Sequence, residues 1–138
     1  MTSLFKAAAL AFVLLALPAA ASAQSMTLAS GQFYDADRVH KGSGTATIVK
    51  DGDTLTLHLT DFATTDGPDL KVWLVTSGNV KSSDDVRHVD WLSLGALQAI
   101  RGNQVYAIPN AVDVAKYKTV AIWCEKFGVL FAAAKLGQ

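Results

Sequence analysis

The stretch "DGDTLTLHLTDF", residues 51–62, decides the fold. Leu55, Leu57 and Leu59 alternate with Thr54, Thr56, His58 and Thr60, so one face of an extended segment is apolar and the other polar. A period of two marks a β-strand with one face buried and one wet. Asp51-Gly52, which separates this run from the β-rich "TATIVK" (45–50), signals a hairpin, because tight two-residue turns favour residues that accept positive φ. Further along, "LKVWLV" (70–75) sets Leu70, Val72 and Leu74 against Lys71, Trp73 and Val75. Between the two runs, Gly67 and Pro68 of "TTDGPD" (64–69) interrupt any strand ladder.

The remaining segments follow the same style. "TLASGQFYDA" (27–36) opens the domain, and "TSGNVKSSDDVRHVD" (76–90) reads as an exposed polar excursion. "WLSLGALQAIRGNQ" (91–104) has spacing that suits a short helix or an irregular strand; Gly95 and Gly102 punctuate it, which favours a short strand and loop. "VYAIP" (105–109) is a strand stopped by Pro109, "NAVDVAKY" (110–117) a connecting turn, and "KTVAIWCEK" (118–126) and "FGVLFAAAKL" (127–136) the last two strands. Seven to nine short strands without repeats or linkers predict an all-β fold: a single antiparallel β-sandwich or barrel-like domain.

At the amino end, "MTSLFK" carries one Lys and no acid, "AAALAFVLLAL" (7–17) is uninterrupted apolar sequence, and "PAAASA" (18–23) supplies small residues. That order is the pattern of a secretory signal peptide cleaved after Ala23, leaving residues 24–138 as one domain in the periplasm or outside the cell. The apolar run is too short to span a bilayer as a helix, so no membrane span is expected after cleavage. Twelve Lys and Arg balance twelve Asp and Glu, and none of the basic residues cluster, which argues against a nucleic-acid partner. The single cysteine excludes an intramolecular disulfide, so stability has to come from the core.

Cys124 itself has two readings. Strand parity in "TVAIWC" puts Val120, Ile122 and Cys124 on one face and Ala121 and Trp123 on the other, so a thiol facing the core is a small buried hydrophobe. An unpaired cysteine in an oxidising compartment is otherwise a reactive group, which Lys126 would assist and Glu125 oppose. Covalent haem attachment by C-x-x-C-H is absent, and no His or Met follows Cys124 to complete a blue-copper set. His58 and His88 read as surface residues, and no metal site is expected. Asp61, Asp66 and Asp69 surround a Gly-Pro turn without the alternate spacing of a calcium loop, so they read as turn caps. No hydrolase or phosphate-binding motif appears, and a self-contained enzyme is not expected. Trp73, Trp91 and Trp123 could line a groove, but tryptophans in strands usually fill core or loop-cover positions.

Three stretches, "HKGSGTATI" (40–48), "LTDFATTDGPDLKVWL" (59–74) and "GNQVYAIPNAVDVAKYKTVAIWCEKFGVLFAAAKL" (102–136), resemble in order and spacing the DM-thirteen domain. This small extracellular module occurs beside DOMON domains and alone in exported bacterial proteins. The resemblance covers residues 31–136. It implies an all-β domain with a signature cysteine, here Cys124, and a role in redox chemistry or electron transfer by a naked thiol or a bound prosthetic group. Gly67-Pro68-Asp69-Leu70 matches the loop motif, and His40 falls where the family often carries histidine. On that basis Cys124 is the candidate redox thiol or ligand, with His40 as its partner were a non-covalent haem the cofactor. The expected function is an exported electron-transfer accessory acting with a redox or envelope protein. The alternative is an envelope binding or structural module in which Cys124 only packs.

Overall fold

A computed structural model describes residues 2–3, 7–19 and 24–138. The expected cleavage point after Ala23 lies outside the described residues. Residues 7–19 have neither helix nor strand, and Leu10, Phe12, Leu14 and Leu17 are exposed. Among the described residues no helix is long and apolar enough to cross a membrane.

The domain is nearly all β. Eight antiparallel strands follow one another: β1 (Met26–Asp35), β2 (Gly42–Asp51), β3 (Thr54–Thr64), β4 (Leu70–Val75), β5 (Trp91–Ala96), β6 (Arg101–Ile108), β7 (Thr119–Cys124) and β8 (Val129–Lys135). Their order in the sheet is β5-β4-β7-β8-β1-β2-β3-β6. The shared strand is β1: Met26 to Gln32 pair with β2, and Phe33 to Asp35 pair with β8. The chain therefore curls into one nearly closed barrel.

The alternation that defines β3 is realised as expected, with Leu55, Leu57 and Leu59 buried inside beside Val72, Leu74, Val120 and Ile122. The hairpin before it turns one residue later than Asp51-Gly52. Asp51 pairs with Thr54, which leaves Gly52 and Asp53 as the turn. Only Gly52 has positive φ, at 59°, the requirement of a turn with glycine in the first central position.

The segment 76–90 is more than an exposed excursion. It carries a short helix, α1 (Ser83–Arg87), and lies across the outer face of the sheet. Val80 and Val86 are buried there against Trp73, Val75, Ala121, Trp123, Leu130 and Ala133. The Tyr34 hydroxyl donates to the Val80 carbonyl at 2.5 Å, the Leu130 N–H donates to Ser83 Oγ at 2.9 Å, and Arg87 donates to the Gly128 carbonyl at 2.6 Å. Three valines in fifteen residues are a weak sequence signal, yet Val80 and Val86, with the half-buried Val89, make this segment a strap.

The edges β5 and β6 are not hydrogen-bonded to each other. The connection between them bridges the gap instead. The Leu97 N–H donates to the Leu70 carbonyl, and the Thr64 N–H to the Ile100 carbonyl. The buried Gln104 amide donates to the Ala99 carbonyl at 2.7 Å, Tyr106 donates its hydroxyl proton to Gln104 Oε1 at 2.6 Å, and the Gln98 N–H donates to the Tyr106 oxygen at 2.8 Å.

Candidate functional site

Cys124 ends β7 and is wholly enclosed, with no exposed surface. Parity places it inside the barrel with Val120 and Ile122, while Ala121 and Trp123 face the strap. Its strand neighbours are Leu70 of β4 and Val129 of β8. The loop 65–69 closes this end. The Glu125 N–H, one residue past the cysteine, donates to the Asp69 carbonyl at 3.0 Å, so two of the three stretches that carry the resemblance are bonded to each other. A side chain at Gly67 would fall 2.7 Å from the Phe131 ring and 2.9 Å from Leu70, both of which pack in the core that holds Cys124. Only glycine lets the loop lie this close.

His40 sits at the same end. Its ring lies on Phe131 with centroids 4.3 Å apart and tilted by 49°. Its Nδ1 meets Asp37 Oδ2 at 2.7 Å, and Asp37 Oδ1 accepts the backbone N–H groups of Val39 and His40. These bonds, the His40 side chain first, hold the Asp37 carboxyl down at about 2. The structure thus brings His40, Gly67 and Cys124 to one end of the barrel around Phe131 and Leu70. It records no contact between His40 and Cys124.

A haem held by this pair needs open space at both axial atoms. The enclosed thiol has none, and neither Cys124 nor His40 lines any of the five clefts described on the surface. The residues do not fit the group as they stand. Among the described residues no three His, Cys, Asp or Glu side chains gather to hold a metal. Asp66 Oδ1 accepts the Gly67 N–H at 2.8 Å, and Asp69 pairs with Lys71 at 3.3 Å, both local contacts at the turn. His58 meets Thr56 Oγ1 at 3.0 Å, and His88 is exposed just after α1.

Sequence reasoning placed Trp73 and Trp123 on one face but missed what they form with Trp91. The Trp73 ring lies parallel to Trp91, with centroids 4.0 Å apart and 4° between planes, and stacks on Trp123 at 5.3 Å and 25°. The stack crosses β5, β4 and β7 diagonally on the outer face. Trp91 is half exposed at 51%, whereas Trp73 and Trp123 are buried. The Trp73 Nε1 is buried without a hydrogen-bond partner, an arrangement that costs about 1–3 kcal/mol relative to a satisfied or apolar group. The cross-strand register, in which Trp73 faces Ser93 and Ala121, could be recovered from sequence only by pairing the strands correctly.

An enclosed thiol has restricted chemistry. A nucleophile or ligand must touch its target, and nothing in solution touches this sulfur. Electrons, unlike atoms, cross a few ångströms of packed protein without an opening.

A family model described as "Electron transfer DM13" matches residues 32–136, nearly all of the β domain. No curated protein and no solved structure matches the chain.

Proposed function

The chain belongs to the electron-transfer DM13 family, and from that premise we propose that it is an exported accessory domain that exchanges single electrons with an envelope redox protein, with Cys124 as its working group. The observation that carries this reading is the setting of Cys124: the loop 65–69 is bonded to the residue after it, and the thiol is sealed in the core. A sealed thiol is protected from oxygen-atom transfer and from mixed disulfides, while an electron can still cross the packed protein around it. One-electron oxidation would leave a thiyl radical, with the electron going to the partner's carrier and the S–H proton to water admitted by a transient opening of the loop 65–69.

The packing of Cys124 among Ile122, Leu70 and Val129 favours a second reading, in which the residue only fills space. The two readings diverge on substitution. Cys124→Ser keeps the shape and removes the easily oxidised sulfur. Wild-type and Cys124→Ser proteins, both folded by circular dichroism, are compared for electron exchange with one-electron mediators in an anaerobic cell. The variant is expected to lose the exchange. Equal behaviour of the two proteins leaves the packing reading.

A further inference from the structure

We propose that Trp91, Trp73 and Trp123 form a relay that carries one electron between the surface and the interior, with Trp91 as the port at which a one-electron acceptor docks. This rests on the electron-transfer reading above and gives it a route. Three observations carry it. First, the rings are in contact: neighbouring centroids are 4.0 and 5.3 Å apart and the planes are near parallel, the arrangement in which π orbitals overlap. Second, the stack has direction. Its outer member is 51% exposed, its inner member is 4% exposed, and the inner member is covalently followed by Cys124, which has no exposure. Third, the central indole N–H has no acceptor.

The third observation separates a relay from ordinary packing. An aromatic ring that only fills space is better as phenylalanine here, because an indole brings a buried donor that must go unsatisfied. For electron passage the missing acceptor is an advantage. An oxidised indole becomes strongly acidic at Nε1, and an acceptor there would take the proton and trap the hole as a neutral radical. Trp73 has nowhere to send its proton, so the hole passes on.

The step balances without breaking a bond. An acceptor at the surface gains one electron from Trp91 and leaves an indole radical cation. Trp73 refills Trp91, and Trp123 refills Trp73. The net change is one electron on the acceptor and one hole on Trp123, whose backbone continues into Cys124 on the other face of β7.

The test uses radiolytically generated azide radical, a one-electron oxidant that becomes azide anion, on the purified protein in aerated buffer. Oxidation products are mapped by peptide mass in wild type, Trp73→Phe and Cys124→Ser. Phenylalanine keeps an aromatic ring at 73 and removes the indole, and circular dichroism with an unfolding curve confirms that each variant is folded. In wild type, products are expected on buried Trp123 or Cys124. In Trp73→Phe these are expected to be lost, with damage confined to Trp91. Wild-type damage that stops at Trp91, or Trp123 damage that persists in Trp73→Phe, overturns the relay. Products on Trp123 that depend on Trp73 while Cys124 stays a thiol support the relay and count against the redox cysteine. Products on Cys124 that do not depend on Trp73 support the cysteine and overturn the relay.

Discussion

At the scale of single residues, the thiol and one carboxylate give the sharpest tests. Because Cys124 is enclosed, thiol reagents are expected to label native protein slowly and unfolded protein quickly, read as mass shift against time. Cys124→Ala leaves a void of about one methyl group, so it should cost about 1 kcal/mol in a denaturant curve, and any larger loss of electron exchange then belongs to the sulfur. The Asp37 carboxyl is held at about 2 by hydrogen bonds from the His40 side chain and from the backbone of His40 and Val39. A lowered carboxyl favours the folded state fully above the ordinary value of 3.8, and that contribution disappears as pH falls through about 2. Asp37→Asn is therefore expected to flatten the acid limb of stability over that interval, and unfolding midpoints across it measure the change. Asp37 is half exposed, so the effect is small.

At the scale of elements, Leu57→Ala in the middle of β3 is expected to cost about 2–5 kcal/mol, as befits a fully buried leucine, by denaturant titration. The loop 65–69 has a different weakness. A methyl group at Gly67 would push into Phe131 and Leu70, so Gly67→Ala should destabilise by about 1–3 kcal/mol and speed the labelling of Cys124 by loosening the end that seals it. Unchanged labelling would mean that the loop is not the seal. Most strands were legible because their signals are local: the leucines of β3, the alternation of β4 and the parity of "TVAIWC" each depend on neighbours two residues away. The family motif likewise drew attention to Cys124, His40 and the Gly-Pro loop, but whether these touch is a matter of packing. The strap and the tryptophan stack were hidden for the same reason. Val80 and Val86 look like stray apolar residues until a sheet lies beneath them, and the stack joins positions 73, 91 and 123 through cross-strand register.

At the scale of the whole molecule, the barrel depends on side chains at its seam. Tyr106→Phe removes the donor to Gln104 and the acceptor for the Gln98 N–H, so it should cost about 1–3 kcal/mol and raise hydrogen exchange in β5 and β6 before the other strands. Burial also raises the Tyr106 phenol, and that of Tyr34, above the ordinary value of 10.0. A raised phenol supports the fold fully below that value and loses its contribution as pH climbs through the shifted one, so stability should fall on the alkaline side and fall less in Tyr106→Phe. The strand order has a consequence in time as well as in space. The last strand, β8, stands between β7 and β1 and joins the β5-β4-β7 group to the β1-β2-β3-β6 group. A chain emerging amino end first has no strand pairing between its two half-sheets until residues 129–135 arrive, and pairing that spans so much sequence is slow, on the order of milliseconds to seconds. A chain cut after Gly128 is expected to show no cooperative unfolding transition. The nascent polypeptide thus stays pliable until residues 129–135 are free to pair, and only then does the barrel lock shut.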